Sequence, residues 1–264
     1  MARIWSARGE LQRVLKRHNG TVFSLQWSPS GRHLLTGGVD RSSIVWDAER
    51  GEVAQQFTNH TAAVLDVAWR DDTSFVSCSS DKTIFAYELG RTLPVRHLIG
   101  HTNDVNAVEW DPTRTVLASC SDDKTARLWR LSQDQCLHTL SDHTKEIYSI
   151  QWSPACAAYS PILATASFDS YVKLWNPETG LVTNTLAMHT FVSPPFSLSL
   201  TPSHISSIFF TLSWFCAPQG PRVPGMLQPQ RRLPGKRLAR LQGVHLVGQD
   251  RQARALVPRA RHHL

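Results

Sequence analysis

Residues 100–129 read GHTNDVNAVEWDPTRTVLASCSDDKTARLW. Five residues in this stretch set a register that recurs along the chain: His101, Trp110 nine residues later, Ser119, Asp123 and Trp129. Working outward, the same order appears before and after it. His falls at 18, 60, 101, 143 and 189, and Trp27, Trp69, Trp110 and Trp152 each follow nine residues behind one of the first four. Asp40, Asp81, Asp123 and Asp169 come next. A hydroxyl stands four residues before each Asp (Thr36, Ser77, Ser119, Thr165), and an aromatic six residues after it (Trp46, Tyr87, Trp129, Trp175). Repeats of fixed period are the signature of architectures in which each unit buries its apolar face only against its neighbours.

The spacing assigns secondary structure. The first unit contains the runs VFSLQW, HLLTGG, SSIVWD and VAQQF, each short, β-rich and bounded by turn residues such as those of 28–31. Four short strands in about 42 residues is the period of a β-propeller blade. The Asp opens a tight turn, where its carboxylate accepts local backbone N–H groups. The His, the hydroxyl and the indole N–H then complete a buried polar chain. Buried polar groups are costly unless hydrogen-bonded, so the members are expected to occur together.

Other chemistries fit poorly. A His/Asp/Ser set suggests nucleophilic catalysis, but a nucleophile site is unique and this set occurs once per unit. For the same reason no metal site is expected, and no cofactor, since no Gly-rich phosphate loop is present. The protein is therefore read as a non-enzyme. Five Cys, at 78, 120, 136, 156 and 216, form no CxxC pair and are read as small buried thiols. The uncharged stretch 191–216 carries too many Pro, Ser and Thr for a membrane span, and no membrane partner is expected.

The repeated set resembles that of the WD-repeat family. The matching positions are His18–Thr36–Asp40–Trp46, His101–Ser119–Asp123–Trp129 and His143–Thr165–Asp169–Trp175; the second unit, His60–Ser77–Asp81, departs by ending in Tyr87. In that family the four residues form a structural hydrogen-bond network. Longer stretches, GHTNDVNAVEWDPT (100–113), LASCSDDKTARLW (117–129), HTKEIYSIQWSP (143–154) and GVDRSSIVWDAERGEVAQQF (38–57), are similar to the propeller of transducin-beta-like corepressor subunits. Those are nuclear WD-repeat proteins that scaffold histone-deacetylase corepressor complexes. The resemblance covers about residues 2–189. It implies a nuclear scaffold whose partners are corepressor and deacetylase subunits, and histone tails. The alternative is a WD-repeat adaptor of another complex, in ubiquitin ligation or RNA processing. The resemblance also implies peptide contacts three and five residues after each His: Thr21 and Phe23, Ala63 and Leu65, Asp104 and Asn106, Glu146 and Tyr148. Asp104 and Glu146 suit Lys/Arg-rich peptides, whereas apolar Phe23 and Leu65 are expected in the core rather than at a contact.

Three parts follow. Residues 1–14 are read as the end of a truncated blade, because the strand ending at Trp5 begins close to Met1. Residues 15–189 are read as four repeats and the start of a fifth. Family propellers have seven or eight blades and an N-terminal oligomerisation segment, so the chain is read as truncated at both ends. The expected fold is all-β, an incomplete propeller of about four blades with a disordered or non-native tail over 190–264.

That tail carries the charge. Residues 1–189 hold 18 Lys and Arg against 20 Asp and Glu, whereas 190–264 hold ten against one, Asp250. The net charge of +7 therefore belongs to the last 75 residues. Their Phe, Ser, Leu and Pro up to 217 are what pyrimidine-rich codons give, as in a translated intron. Shifted by one nucleotide, a consistent codon choice for 220–258 reads as another blade, with an Asp 13 residues after a Phe and a Trp six after that Asp. The competing reading is a basic nucleic-acid-binding tail centred on RRLPGKRLAR (231–240). It lacks interleaved aromatics, so no direct nucleic-acid contact is expected.

Overall fold

The computed structural model describes residues 1–155 and 160–187. Every regular element among them is a strand. β1 (Ala2–Trp5) and β2 (Leu11–Leu15) form a hairpin, so the first unit extends one residue past the expected boundary at 14. Four antiparallel sheets of four consecutive strands follow. Blade 1 is β3 (Val22–Trp27), β4 (His33–Gly38), β5 (Ser43–Asp47) and β6 (Glu52–Phe57). Blade 2 is β7 (Val64–Trp69), β8 (Ser74–Ser79), β9 (Thr83–Glu88) and β10 (Arg96–Ile99). Blade 3 is β11 (Val105–Trp110), β12 (Leu117–Ser121), β13 (Ala126–Trp129) and β14 (His138–Leu140). Blade 4 is β15 (Ile147–Trp152), β16 (Leu163–Ser167), β17 (Val172–Asn176) and β18 (Leu181–Leu186). Strands pair in chain order within each sheet, and the first strands β3, β7, β11 and β15 pack against one another. The blades thus radiate from an inner wall. The repeat expected to start at His189 and the tail reading both lie outside the described residues.

The core sits between sheets rather than within one. One cluster joins Leu35, Val45 and Phe57 of blade 1 to Val64, Trp69, Phe75 and Tyr87 of blade 2. Others join blade 2 to 3, blade 3 to 4, and the hairpin to blade 1. Burying an aromatic or large aliphatic side chain contributes about 1.5–3 kcal/mol, so each blade draws most of its stability from its neighbours, as in other repeat architectures.

Each inner strand carries a bulge at the same place. In β3 the partners step from Val22–Gly38 to Ser24–Gly37, leaving Phe23 unpaired. Leu65, Asn106 and Tyr148 are skipped in the same way in β7, β11 and β15. A bulge re-aims the side chain it carries. Phe23 is accordingly 43% exposed and Leu65 half-buried, instead of lying in the core as their apolar character suggests.

Polar side chains stitch adjacent inner strands. Trp69 donates its backbone N–H to the Gln26 side chain and its indole N–H to the Gln26 carbonyl, at 3.0 Å. Trp152 repeats this on Glu109, at 2.8 and 3.1 Å. Between blades 2 and 3 the counterpart of Gln26 is Ala68, whose side chain has no acceptor. There Asp66 accepts from Val108 N–H at 3.1 Å, and Arg114 donates to the Trp69 carbonyl at 2.7 Å.

Candidate functional site

The repeated polar residues assemble once in each blade. In blade 3 the Ser119 hydroxyl lies 2.9 Å from Trp129 Nε1 and 2.8 Å from His101 Nε2; His101 Nδ1 lies 2.8 Å from Asp123 Oδ2. One proton order satisfies all four groups. The indole donates to the hydroxyl, the hydroxyl donates to Nε2, and Nδ1–H donates to the carboxylate. Blades 1 and 4 repeat the geometry through Thr36 and Thr165, with each distance between 2.7 and 2.9 Å. In blade 2, His60 meets Ser77 and Asp81 at 2.8 Å each. Tyr87 replaces the Trp there, with the Ser77 hydroxyl as its polar neighbour. Its ring joins Phe57 and Phe75 at centroid distances of 4.5 and 5.1 Å, so apolar packing takes over part of the indole's role.

Each Asp also closes a turn. It accepts from the backbone N–H that follows the repeat His: Asn19, Thr61, Thr102 and Thr144, at 2.8–3.0 Å. The residue after each Asp (Arg41, Lys82, Lys124, Ser170) is left-handed, with φ between 64° and 72°. Burial is the largest influence on each tetrad carboxyl and raises it, but the hydrogen bonds from its His and from neighbouring hydroxyl and backbone donors together outweigh this and hold it below the usual carboxylate range. Burial likewise lowers His101 and His143, which stay neutral near pH 7. Thr36, Ser77, Ser119 and Thr165 are 0% exposed, so none of these hydroxyls can reach a substrate as a nucleophile.

The tetrads also position a surface. The backbone N–H of the residue before each Asp donates to the carbonyl three residues after the His: Val39 to Thr21, Ser80 to Ala63, Asp122 to Asp104, Phe168 to Glu146, at 2.9–3.1 Å. Two of the four sequence-derived contact pairs, in blades 3 and 4, come together into a charged cluster. Asn106 donates to Asp122 Oδ1 at 2.6 Å and to the Ile147 carbonyl at 2.9 Å. Tyr148 packs edge-on against Phe168, with centroids 3.9 Å apart. Burial raises the Asp122 carboxyl; the Asn106 bond opposes this, and the charges of Asp104, Glu146 and Asp123 add to it. Burial and the carboxylates of Asp122, Glu146 and Asp104 push the Tyr148 phenol up to about 12. Beside the cluster, Lys124, Lys145, Glu146 and Phe168 line a cavity of about 460 Å³. Thr21, Phe23, Ala63 and Leu65 present no such charge on blades 1 and 2. Sequence reasoning missed Asp122 and Phe168, although their place immediately before each tetrad Asp is as periodic as the tetrad itself.

The model of the WD domain, G-beta repeat matches residues 9–47, 51–88, 92–130 and 134–176. The chain belongs to the WD-repeat family. Its WD repeats are offset from the blades: each match starts near the outer strand of one sheet and ends with the third strand of the next, so every repeat ties two sheets covalently. The F-box-like/WD repeat-containing protein TBL1X of Mus musculus is 53% identical over 206 residues, covering 76% of this chain and 39% of that protein. The WD40 repeat-containing protein HOS15 of Arabidopsis thaliana is 45% identical over 207 residues, covering 76% of this chain and 33% of that protein. The WD-repeat chain thus spans between a third and two-fifths of these relatives' lengths. The solved C-terminal WD40 domain of Sif2 superposes with a TM-score of 0.63 at 28% identity, covering 70% of this chain and 51% of that one.

Proposed function

We propose that this WD-repeat chain is a non-catalytic scaffold of the transducin-beta-like corepressor class, docking Lys/Arg-rich peptides on the tetrad face of blades 3 and 4. In this reading it serves nuclear histone-deacetylase corepressor complexes, with corepressor and deacetylase subunits and histone tails as partners. The 53% identity to an F-box-like/WD repeat-containing protein supports the class. The observation that carries the peptide reading is the convergence of Asp104, Asp122 and Glu146 around Tyr148. Half-buried carboxylates beside an aromatic pair favour a cation with an apolar stem, through ion pairing and ring-face attraction.

The test is fluorescence anisotropy with labelled hexalysine. Saturable binding is expected, weakened at least about tenfold by Asp104→Lys combined with Glu146→Lys, since two charge-assisted contacts become repulsive. Equal affinity for wild type and this variant sinks the peptide reading. Co-immunoprecipitation of the tagged chain from nuclear extract tests the complex, with deacetylase activity in the wild-type pellet as the expected result.

A further inference from the structure

We propose that a cleft between blades 2 and 3, on the face opposite the tetrad turns, binds a carboxylate side chain of an acidic peptide. The cleft holds about 370 Å³ and is formed by the turn that follows β7, the adjoining ends of β8, β9, β10 and β11, and Leu131 after β13. Arg70, Phe75, Arg96, Trp110 and Leu131 line it. That volume suits one or two side chains.

The seam below it differs from its neighbours in one atom. Trp69 and Trp152 each donate the indole N–H to a main-chain carbonyl of the preceding blade. Trp110 occupies the same place on β11 and is 6% exposed, yet its Nε1 has no acceptor among the described residues. That nitrogen is closed off from solvent, so this seam carries beneath the cleft a buried unpaired donor that costs about 1–3 kcal/mol.

The charged donors of the cleft belong to two arginines. The Arg70 guanidinium lies 5.5 Å from the Trp110 ring centroid, and its Nε donates to the Arg114 carbonyl at 3.1 Å. Its terminal nitrogens make no hydrogen bond among the described residues. Among the described residues Arg96 pairs only with Asp134, at 3.0 Å, whose side chain is 91% exposed; such a pair is weak and easily exchanged. Both acids on the rim have local partners, although the Glu88 pair is exposed like that of Arg96. The Asp71 carboxylate accepts four bonds from Thr73 and Ser74, and Glu88 pairs with Arg91 at 2.9 Å.

The cleft therefore offers a guanidinium over the Trp110 ring and a second guanidinium beside an apolar floor. A planar acceptor with an apolar stem fits, because a guanidinium binds a carboxylate through two parallel bonds. The Asp71 and Glu88 charges at the rim penalise a dianion more than a monoanion, which selects carboxylate over phosphate. The charge preference is opposite to that of the tetrad face, so one propeller can hold a basic and an acidic segment on its two faces.

The experiment labels the chain with indole-¹⁵N tryptophan and assigns the Trp110 resonance by Trp110→Phe. Hexaglutamate, hexalysine and a phosphoserine hexapeptide are then titrated. Hexaglutamate should shift the Trp110 N–H saturably and hexalysine should not. Arg70→Gln and Arg96→Gln should each weaken the hexaglutamate response about tenfold, the loss of one charge-assisted contact. The indole signals of Trp5, Trp27, Trp46, Trp69, Trp129, Trp152 and Trp175 report whether each variant keeps its fold. A Trp110 signal that does not move, or that moves as readily in both folded variants, overturns the proposal. A stronger response to the phosphoserine peptide overturns the carboxylate assignment.

Discussion

Replacing Ser119 by Ala removes one oxygen and should orphan two buried groups. The hydroxyl takes the Trp129 N–H at 2.9 Å and supplies a proton to His101 Nε2 at 2.8 Å. Trp129 and His101 are 1% and 6% exposed, so water cannot replace it without opening the blade. Each orphaned group costs about 1–3 kcal/mol, giving a loss of about 2–4 kcal/mol once local relaxation is allowed. Ser119→Thr is the control. Blades 1 and 4 carry Thr at this position, so it should stay within about 1 kcal/mol of wild type. Urea unfolding followed by tryptophan fluorescence gives both values. A double-mutant cycle with Trp129→Phe sharpens the test, because in that background Ser119→Ala orphans only His101. Its cost should then fall by about 1–2 kcal/mol. A loss below about 0.5 kcal/mol for Ser119→Ala, or the same loss in both backgrounds, would refute the idea that the tetrad acts as one energetic unit.

Acid should unfold the blades in two stages. His101 and His143 protonate less readily folded than unfolded, so their contribution is present above pH 6.5 and fades as pH falls below it. The tetrad carboxyls are held low in the folded state, so theirs is lost below pH 4; a melting temperature that is flat between pH 7 and 3 contradicts this. Glu109 runs the other way: burial raises its carboxyl to about 7, so its contribution is present at pH 4.5 and lost as pH rises through 7. Glu109→Gln keeps an acceptor for Trp152, as Gln26 does for Trp69, and should stabilise the chain by about 1–2 kcal/mol at pH 8 in urea unfolding but not at pH 5. Gly37→Val should cost about 1–3 kcal/mol in the same assay, since a Cβ there meets Val64 Cγ1 at 2.6 Å across the seam. For residues 190–264, comparing genomic DNA with the spliced transcript should reveal a GT…AG segment whose length is not a multiple of three, ending at codon 219.

The blades were legible in the sequence because the polar tetrad is expensive to bury incompletely. His101, Ser119, Asp123 and Trp129 must occur together, and their spacing is rigid. The strand runs followed from the same period. The bulges were not legible, because a skipped residue is defined by its partner strand: nothing in VFSLQW says that Phe23 stands opposite no residue. The seams were hidden for a related reason. Gln26 and Glu109 read as ordinary solvent-facing positions of alternating strands, and only the assembled blades bring each to the next blade's Trp. Ala68, the position that breaks this pattern, is an unremarked small residue until its neighbours are seen.

The bulges separate two demands that usually compete. A residue in the ladder must suit its pleat and its cross-strand partner, so recognition and folding constrain the same side chain. Phe23, Leu65, Asn106 and Tyr148 escape the ladder, one per blade, at the same height and on the same rim. Their four chemistries are aromatic, aliphatic, amide and phenol, yet the strands around them keep one geometry. The inner wall therefore works like a lock whose pins can be recut singly: a change at any of these places alters what the rim accepts without removing a backbone pair of the ladder.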